Sequence, residues 1–198
     1  MIETLAERDQ RRWRQLNNAG VECSCGERHV GLFALYYLQP PGWAGPSEPE
    51  PNSALRMDGN FLSQDFCVME GKYFSMRMIL PLPVKGLSPP AAPLAVWASV
   101  DRSDFVTYIA ALAENRHDKL GRAQARLITR VGGYPDTFAL MGQAFPQADG
   151  PPLLVLERKQ APQLPGGQIV IEHRDGATFD RLRDIYAAHQ HDMRSSFS

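Results

Sequence analysis

The amino-acid sequence predicts an α+β fold with a mainly antiparallel sheet. Segments with the alternation or the β-branched and aromatic content of strands outnumber the segments with helical periodicity. Several predicted strands follow one another after turns too short for a parallel crossover, which needs about a dozen residues. The helical segments lie at the start, in the middle and near the end of the chain. We therefore expect an N-terminal, a central and a C-terminal helix packed on one sheet.

An amphipathic helix is predicted at the N-terminus. Between Ile2 and Asn18, apolar residues recur at near-helical spacing among charged ones, and the sequence then reaches the stop signal Asn17–Gly20. The run Arg11-Arg12-Trp13-Arg14 has the composition of a phosphate-binding patch, but basic runs on amphipathic helices are usually solvated, with the aromatic ring buried. We therefore assign residues 1–20 to a helical extension rather than to an anion site.

A long proline-rich loop is predicted at residues 39–64. It follows a segment rich in β-formers, 31–38, and contains five prolines and three glycines. Loops longer than about 15 residues are uncommon inside compact domains and are often functional. Trp43 is the residue expected to anchor this loop. As an aromatic side chain on a loop it is also the candidate contact for a protein partner.

Turn and cap signals predict the elements that follow the loop. Residues 65–69 and 73–80 flank the short polar turn Glu70-Gly71-Lys72 and are typical of a β-hairpin. Asp101 is an N-cap signal for the central helix, and the last helix begins near Thr178. Further strands are expected at 94–100, from residue 122, at 137–143 and at 153–157, while 168–173 fits either a strand or a short helix.

The cysteine and histidine residues form the candidate site. Cys23, Cys25 and His29 lie in one short turn, and Gly26 lets its backbone fold so that both thiols face a common point. Tetrahedral zinc takes four nitrogen or sulfur ligands, and Cys67, at the start of the hairpin, is the remaining thiol. The set therefore predicts a structural zinc site that cross-links the N-terminal turn to the sheet.

Two other interpretations of these residues stay open. Buried free cysteines are common in cytoplasmic proteins, so the thiols can be packed side chains without a ligand. In the alternative with chemistry, Cys25 or Cys67 is a nucleophile, His29 is its base and Asp65 orients the imidazole. A metal-dependent hydrolase would instead have three protein ligands and a water in the fourth position. The other histidines are expected to be exposed surface residues: His117, His173, His189 and His191.

Composition and motifs exclude several classes of function. The chain has 198 residues and a formal net charge of -1, so no net field recruits nucleic acid or an anionic membrane. The sequence has no apolar run near the roughly 20 residues that span a bilayer, and no phosphate loop, dinucleotide fingerprint or H-E-x-x-H motif. With three cysteines and no secretory signal at its start, we expect it in the cytoplasm.

Six short motifs occur in order along the chain: Cys25–His29, Asp65–Val68, Val96–Ser99, Gly121–Leu127, Tyr134–Thr137 and Gly176–Ile185. Together they resemble the motifs of a bacterial family of uncharacterised proteins, the domain of unknown function 2199 family. Members of this family mostly space the first two cysteines as C-x-x-C, whereas this chain has Cys23-Ser24-Cys25. The resemblance implies a domain over roughly residues 20 to 190 and an association of Cys25, His29 and Cys67, but it supplies no activity.

These observations lead to one expectation and one alternative. We expect residues 21–190 to form a single α+β domain and 191–198 to be a frayed tail. The expected function is that of a non-catalytic cytoplasmic module that binds an unknown protein partner and contains a structural zinc. The alternative is a metal-dependent hydrolase or a Cys/His thiol enzyme of unknown substrate. A homodimer is compatible with the sequence because most oligomers are symmetric pairs; nucleic acid and membranes are not expected partners.

Overall fold

The computed structural model describes residues 4–85, 91–114, 116, 121–160 and 164–193. The predictions made for His117 and for the chain end beyond residue 193 lie outside these residues. No helix within the described ranges combines the length and the apolar character that crossing a membrane requires. The α-helices are α1 (Leu5–Arg14), α2 (Arg102–Ala113), α3 (Gly167–Asp175) and α4 (Phe179–Ala188).

Ten strands accompany these helices in the described part of the chain, so it combines helices with a sheet-rich core. The first two strands form a separate small hairpin, and the other eight belong to one sheet. The strands are β1 (Val21–Glu22), β2 (Arg28–His29), β3 (Leu35–Tyr36), β4 (Phe61–Leu62), β5 (Phe66–Met69), β6 (Tyr73–Pro83), β7 (Ala91–Val100), β8 (Ala123–Leu127), β9 (Leu140–Phe145) and β10 (Leu153–Leu156).

The large sheet is mixed, and part of it closes on itself. Its strand order is β3-β7-β8-β9-β10-β6-β5-β4, and an additional pairing of β7 with β6 closes a five-stranded barrel from β6 to β10. Strand β3 runs parallel to β7, and β10 runs parallel to β6. The sheet therefore differs from the mainly antiparallel one expected. The reason is that five consecutive antiparallel strands, when they close, bring the first and the last together in the same direction.

The hairpin of β5 and β6 is confirmed, and its turn has the backbone that the sequence predicts. Glu70 and Gly71 have φ angles of 56° and 62°, and the Lys72 amide donates to the Met69 carbonyl. Left-handed backbone at both central residues is the pattern of a type I′ turn, whose twist matches that of the strands. The hairpin continues along β6 into the longest ladder of the sheet, with β7, from Phe74↔Val100 to Pro83↔Ala91.

The apolar core is divided into a large cluster and a small one. The large cluster fills the barrel and the space under the helices, and it includes Leu80, Phe105 and Ile185. The small cluster, which we call the second cluster, consists of Leu62, Cys67, Trp97 and Ile128, with Tyr37, Trp43 and Met69 packed against it. Since Trp43 contacts this cluster, the proline-rich loop is attached to the sheet at that residue.

Helix α1 packs against α4 through an ion pair. It begins at Thr4, whose side chain accepts from the Glu7 amide, while the Glu7 carboxylate accepts from the Thr4 amide. About two turns after Thr4, Arg12 Nη1 lies 2.8 Å from Asp180 Oδ1. Arg12 is 9% exposed, so within the basic run it faces the protein rather than solvent. Trp13 is only partly buried, because Arg12 occupies the position that faces α4.

The C-terminal third contains two helices. The sequence predicted the second of them, and it left the first open between a strand and a short helix. The ambiguous segment 168–173 lies inside α3, which begins at Gly167. Helix α4 begins where predicted, because the Thr178 side chain accepts from the Arg181 amide as an N-cap. Gly166, just before α3, approaches the turn around Asp136 so closely that a Cβ there would lie 1.9 Å from the Asp136 carbonyl oxygen.

Replacing Gly166 by Ala is therefore expected to destabilise the protein. The atom that the new methyl group meets belongs to the backbone, so the turn or the start of α3 must move, at a cost of about 2 kcal/mol or more. Urea unfolding monitored by circular dichroism measures this change. The matched control is Gly121→Ala, because nothing lies within 4 Å of a Cβ at that glycine. Equal stability of the two variants would contradict the packing described for Gly166.

Candidate metal centre

The turn between β1 and β2 holds the two nearby cysteines. The strands pair with Val21 opposite His29, and the loop closes through the Cys23 amide, which donates to the Glu27 carbonyl at 3.0 Å. Gly26 has a φ of 89° and its amide donates to the Cys23 carbonyl. This left-handed glycine turns the backbone so that Cys23 and Cys25 lie on the same side of the loop as the imidazole of His29.

His191 completes a group of four metal-ligating side chains. Cys25 Sγ lies 3.2 Å from His29 Nε2, and Cys23 Sγ lies 3.6 Å from His191 Nδ1. One donor atom from each of these four residues lies within 4.8 Å of the other three. In a tetrahedral zinc site with Zn–S bonds of about 2.3 Å and Zn–N bonds of about 2.0 Å, the donors are roughly 3.3–3.8 Å apart. The two measured separations are close to this range.

The end of α4 determines where His191 lies. Gln190 has a φ of 64°, and its amide donates to the Ala187 carbonyl. The next amide, of His191, donates to the Tyr186 carbonyl at 2.9 Å. These two bonds and the left-handed residue between them are the Schellman pattern that ends many helices. The imidazole of His191 is thus held at a defined position directly after the last helical turn.

Ser24, the residue between the two cysteines, binds the chain that follows α4. Its amide donates to the Asp192 carbonyl at 2.9 Å, and its hydroxyl donates to the Gln190 carbonyl at 3.1 Å. The Asp192 amide in turn donates to Ser24 Oγ at 2.9 Å. Met193 is 2% exposed. Residues 191–193, which the sequence analysis assigned to the tail, are therefore held against the cysteine loop.

Aromatic rings support both imidazoles of the group. The ring of Phe33 stacks on His29 with centroids 4.1 Å apart, and it meets His191 edge-on at 5.0 Å. Phe33 is itself fixed by the hydroxyl of Tyr186, which donates to its carbonyl at 2.8 Å. Groups that orient the ligand side chains in this way pre-organise a metal site and raise its affinity.

Burial and neighbouring charge favour neutral forms of two of the four groups. Burial raises the pKa of the Cys23 thiol, although the backbone of Cys25 and the side chain of Ser24 act in the opposite direction. Burial and the nearby His29 lower the pKa of His191. A neutral imidazole has the free lone pair that a metal needs, whereas a thiol must lose its proton to bind. A divalent cation at this position would compensate the thiolate charge.

Cys67, the fourth ligand predicted from the sequence, lies elsewhere. It is on β5 and fully buried in the second cluster beside Trp97. Burial raises the pKa of its thiol to about 12, which disfavours the thiolate required of a nucleophile or a ligand. Among the described residues, the group able to hold a metal contains Cys23, Cys25 and His29 as predicted, with His191 in place of Cys67.

The remaining candidate residues have other contacts. Asp65 accepts from Asn52 Nδ2 at 2.8 Å and belongs to a different region from His29, so the predicted nucleophile, base and orienting group are not assembled. Trp43 Nε1 donates to the Pro46 carbonyl at 2.9 Å, which fastens the loop. The expectation of exposure is wrong for His173, because α3 turns it toward β6, where its Nδ1 lies 2.7 Å from the Pro81 carbonyl.

His189 was also expected to be exposed, and the structure places it against Tyr37. The Tyr37 hydroxyl hydrogen-bonds with His189 Nε2 and accepts from the Gly132 amide. Burial lowers the pKa of His189, and His191 lowers it further. The pair His189-Gln-His191 was the sequence signal for His191, the residue of the group that the sequence analysis did not include. Spacing along the chain does not show which distant element a chain end packs against.

Comparison with known families identifies one relationship. Residues 22–165 match the family described as an uncharacterized protein conserved in bacteria, DUF2199. The matched range contains Cys23, Cys25 and His29 but ends before His191. Searches among curated proteins and among solved structures each found no match. Because the matched range covers more than half of its length, the chain belongs to the DUF2199 family of uncharacterized bacterial proteins.

Proposed function

We propose that this protein is a non-catalytic protein-binding module stapled by a structural zinc ion. The observation that carries the proposal is the convergence of Cys23, Cys25, His29 and His191, whose donor atoms lie within 4.8 Å of one another. Two sulfur and two nitrogen donors form a ligand set that zinc uses in closed structural sites. Thiolate and imidazole donors do not suit magnesium or calcium, which prefer oxygen.

A zinc ion with these four ligands would join the two ends of the fold. Cys23 and His191 are 168 positions apart in the chain. A cross-link between such distant residues restricts the unfolded chain strongly, and a metal that binds only the folded state stabilises that state. Four protein ligands leave no coordination position for a substrate. The metal in this proposal therefore stabilises the module and takes no part in a reaction.

Exposed apolar side chains support the protein-binding part of the proposal. Val30, Tyr36 and Leu38 are 62%, 57% and 78% exposed, and all three follow the cysteine loop within nine residues of sequence. Strand β3, which contains Tyr36, is at one end of the strand order, so one of its edges has no partner strand among the residues that the structure describes. Exposed apolar groups beside a free strand edge are typical of a contact with another chain. Trp43, only partly buried, remains a candidate contact.

Zinc analysis of variants tests the ligand set directly. The protein purified without added metal is expected to contain about one zinc per chain, and Cys25→Ser and His191→Ala are expected to lose most of it. Cys67→Ala is the matched control, because it removes a thiol that lies outside the group. Elemental analysis, together with thiol titration before and after chelation, measures the zinc content and the number of thiols that the metal protects.

Zinc lost from Cys67→Ala but kept in His191→Ala would support the ligand set predicted from the sequence and refute the one proposed here. Absence of metal from the wild-type protein, with a reactive Cys25, would favour the thiol alternative, because Cys25 is exposed and lies 3.2 Å from His29.

Removing the Ser24 hydroxyl is expected to weaken zinc binding without removing a ligand. Ser24→Ala loses both side-chain hydrogen bonds to residues 190 and 192. Loss of a group that positions a ligand typically costs 10- to 100-fold in metal affinity, and we expect about tenfold. Competition with a chromophoric chelator measures the affinity, and hydrogen exchange of residues 189–193 should accelerate in parallel. Ser53→Ala, at an exposed serine in the 52–54 turn, is the control. Unchanged zinc affinity in Ser24→Ala would show that the hydrogen bonds of the Ser24 hydroxyl do not position His191.

A charge placed among the exposed apolar side chains Val30, Tyr36 and Leu38 is expected to abolish partner binding. Leu38→Asp places a carboxylate at a side chain that is 78% exposed, so the fold should keep its stability within about 0.5 kcal/mol. Tagged wild-type protein, purified from the native bacterium, should retain a stoichiometric partner that Leu38→Asp loses. Val106→Asp, at an exposed apolar residue on α2, is the control. The same partner on both variants would place the contact elsewhere, and its absence from the wild type would refute the binding role.

A further inference from the structure

A cavity of about 230 Å³ lies beside the point where the barrel closes. Strand β10 pairs with β6 only at Leu153↔Ile79, and β5 pairs with β6 as far as Phe66↔Met76. Both strands therefore lie along the same edge of β6, one after the other, and the cavity lies where their ladders end. Helix α2 contributes part of the cavity wall.

The cavity lies on the face of the sheet that packs against the large apolar cluster. Phe66 and Tyr108 line it, belong to that cluster and have ring centroids 6.3 Å apart. Arg77 also borders the cavity, but neighbouring residues of a strand point to opposite faces. Its guanidinium lies over the rings of Tyr36 and Trp97, on the face of β6 that carries the second cluster. The guanidinium therefore makes no contact inside the cavity.

Asp65 provides a carboxylate in the cavity wall. It lies in the turn between β4 and β5, and one of its oxygens accepts from Asn52 Nδ2 at 2.8 Å. Asn52 lines the cavity as well. In the described part of the chain, no hydrogen bond is made to the other oxygen and no ion pair includes Asp65. An ionised carboxylate only accepts hydrogen bonds, and its strongest partners are cationic donors.

The hydroxyl of Tyr108 is the second polar group of the cavity. Tyr108 is 7% exposed, yet its hydroxyl has no hydrogen-bond partner among the described residues, whereas buried tyrosine hydroxyls usually have one. It is not one of the unpaired polar atoms that the described chain encloses completely, so a ligand can reach it. Burial, together with the charge of Asp65, raises the pKa of Tyr108 to about 12. The neutral hydroxyl therefore lies within electrostatic reach of Asp65.

We propose that this cavity binds a small primary amine whose ammonium group lies between Asp65 and the Tyr108 hydroxyl. The ammonium group donates to the free Asp65 oxygen and to Tyr108 Oη, while Phe66, Leu112 and two prolines contact the apolar part of the molecule. Pockets for drug-sized ligands have volumes of about 300–1,000 Å³, so this smaller cavity selects a smaller molecule. The inference goes beyond the proposed zinc site and shares no residue with it.

The polar groups favour a primary ammonium over other charged ligands. A quaternary ammonium has no N–H to donate, so it would leave both acceptors without a hydrogen bond. An anion would be repelled by Asp65. Among the described residues, Asp65 belongs to no group of three or more side chains able to hold a metal ion. An organic cation with N–H donors is therefore the class that fits.

The proline-rich loop acquires a role in this proposal. Asn52 begins the short 3-10 turn of that loop, Asn52–Ala54, and its side-chain amide holds the Asp65 carboxylate. The loop also contacts the second cluster through Trp43, so it is attached to the sheet at a second point. A long loop that positions a binding residue on a rigid sheet is a common arrangement for ligand sites.

Calorimetry with simple amines and the full chain tests the proposal. The probes are phenethylamine, benzylamine and n-pentylamine, each compared with the alcohol of the same skeleton and with its N,N,N-trimethyl derivative. At least one amine is expected to bind, and at least about tenfold more tightly than either analogue, because only the amine makes charge-assisted hydrogen bonds. No binding of the three amines at about 10 mM, or equal binding of amine, alcohol and trimethyl derivative, would overturn the proposal.

Two variants assign the contacts, and one serves as the control. Asp65→Asn is expected to weaken amine binding at least about tenfold and to leave the weaker binding of the alcohol unchanged, which shows that the cavity is intact. Tyr108→Phe removes only a hydroxyl and should weaken amine binding about fivefold. Asp58→Asn makes the same change of charge at an exposed residue of the proline-rich loop outside the cavity, and should bind as the wild type does.

Wild-type affinity for the amine in both Asp65→Asn and Tyr108→Phe would place the binding outside this cavity and refute the proposal. Zinc content measured on the same samples separates this result from that for the metal site.

Discussion

Closure of the barrel between β6 and β10 is the constraint on which the rest of this structure depends. An odd number of consecutive antiparallel strands leaves its first and last strands running in the same direction, so the closing pair is parallel and consists of one register pair. That contact must share the side of β6 with β5, since both strands lie there. The junction leaves room for a cavity beside Arg77, where the ladders of β5 and β10 end. The mixed sheet and this cavity thus have the same origin.

The candidate metal centre brings together two other segments that are distant in the sequence. A small hairpin near the start of the chain presents Cys23, Cys25 and His29, and the C-terminal cap of α4 presents His191. Ser24 joins the two segments through three hydrogen bonds, so polypeptide contacts already hold the donors close together. Pre-organisation of this kind reduces the ordering cost of metal binding. Burial raises the pKa of the Cys23 thiol, so a cation beside it would be needed to favour its thiolate form at neutral pH.

Local signals in the sequence were sufficient for most elements but not for the assembly of the sites. Thr178 caps α4 as predicted and Glu70 is in the hairpin turn, because caps and turns depend on neighbouring residues only. Helix α2 also begins directly after Asp101, although that side chain makes no capping hydrogen bond. Three of the four residues that could hold a metal were also predictable, because they are close in sequence. His191 was not, since its position depends on the packing of α4. Cys67 was chosen as the last remaining thiol, but spacing does not show that β5 turns it into the second cluster.

The choice between a structural metal and thiol chemistry depends on atoms that the two functions share. Cys25 is exposed and its sulfur lies 3.2 Å from His29 Nε2, which is the separation of a nucleophile from its base. A zinc ion, however, binds through that same sulfur lone pair and that same nitrogen, so one molecule cannot use the pair in both ways at once. A thiol enzyme also needs a group that orients the imidazole, whereas His29 stacks on the apolar ring of Phe33. His191 adds a fourth donor that a dyad does not require and a closed zinc site does. The position of His191 is therefore the strongest structural argument for the metal.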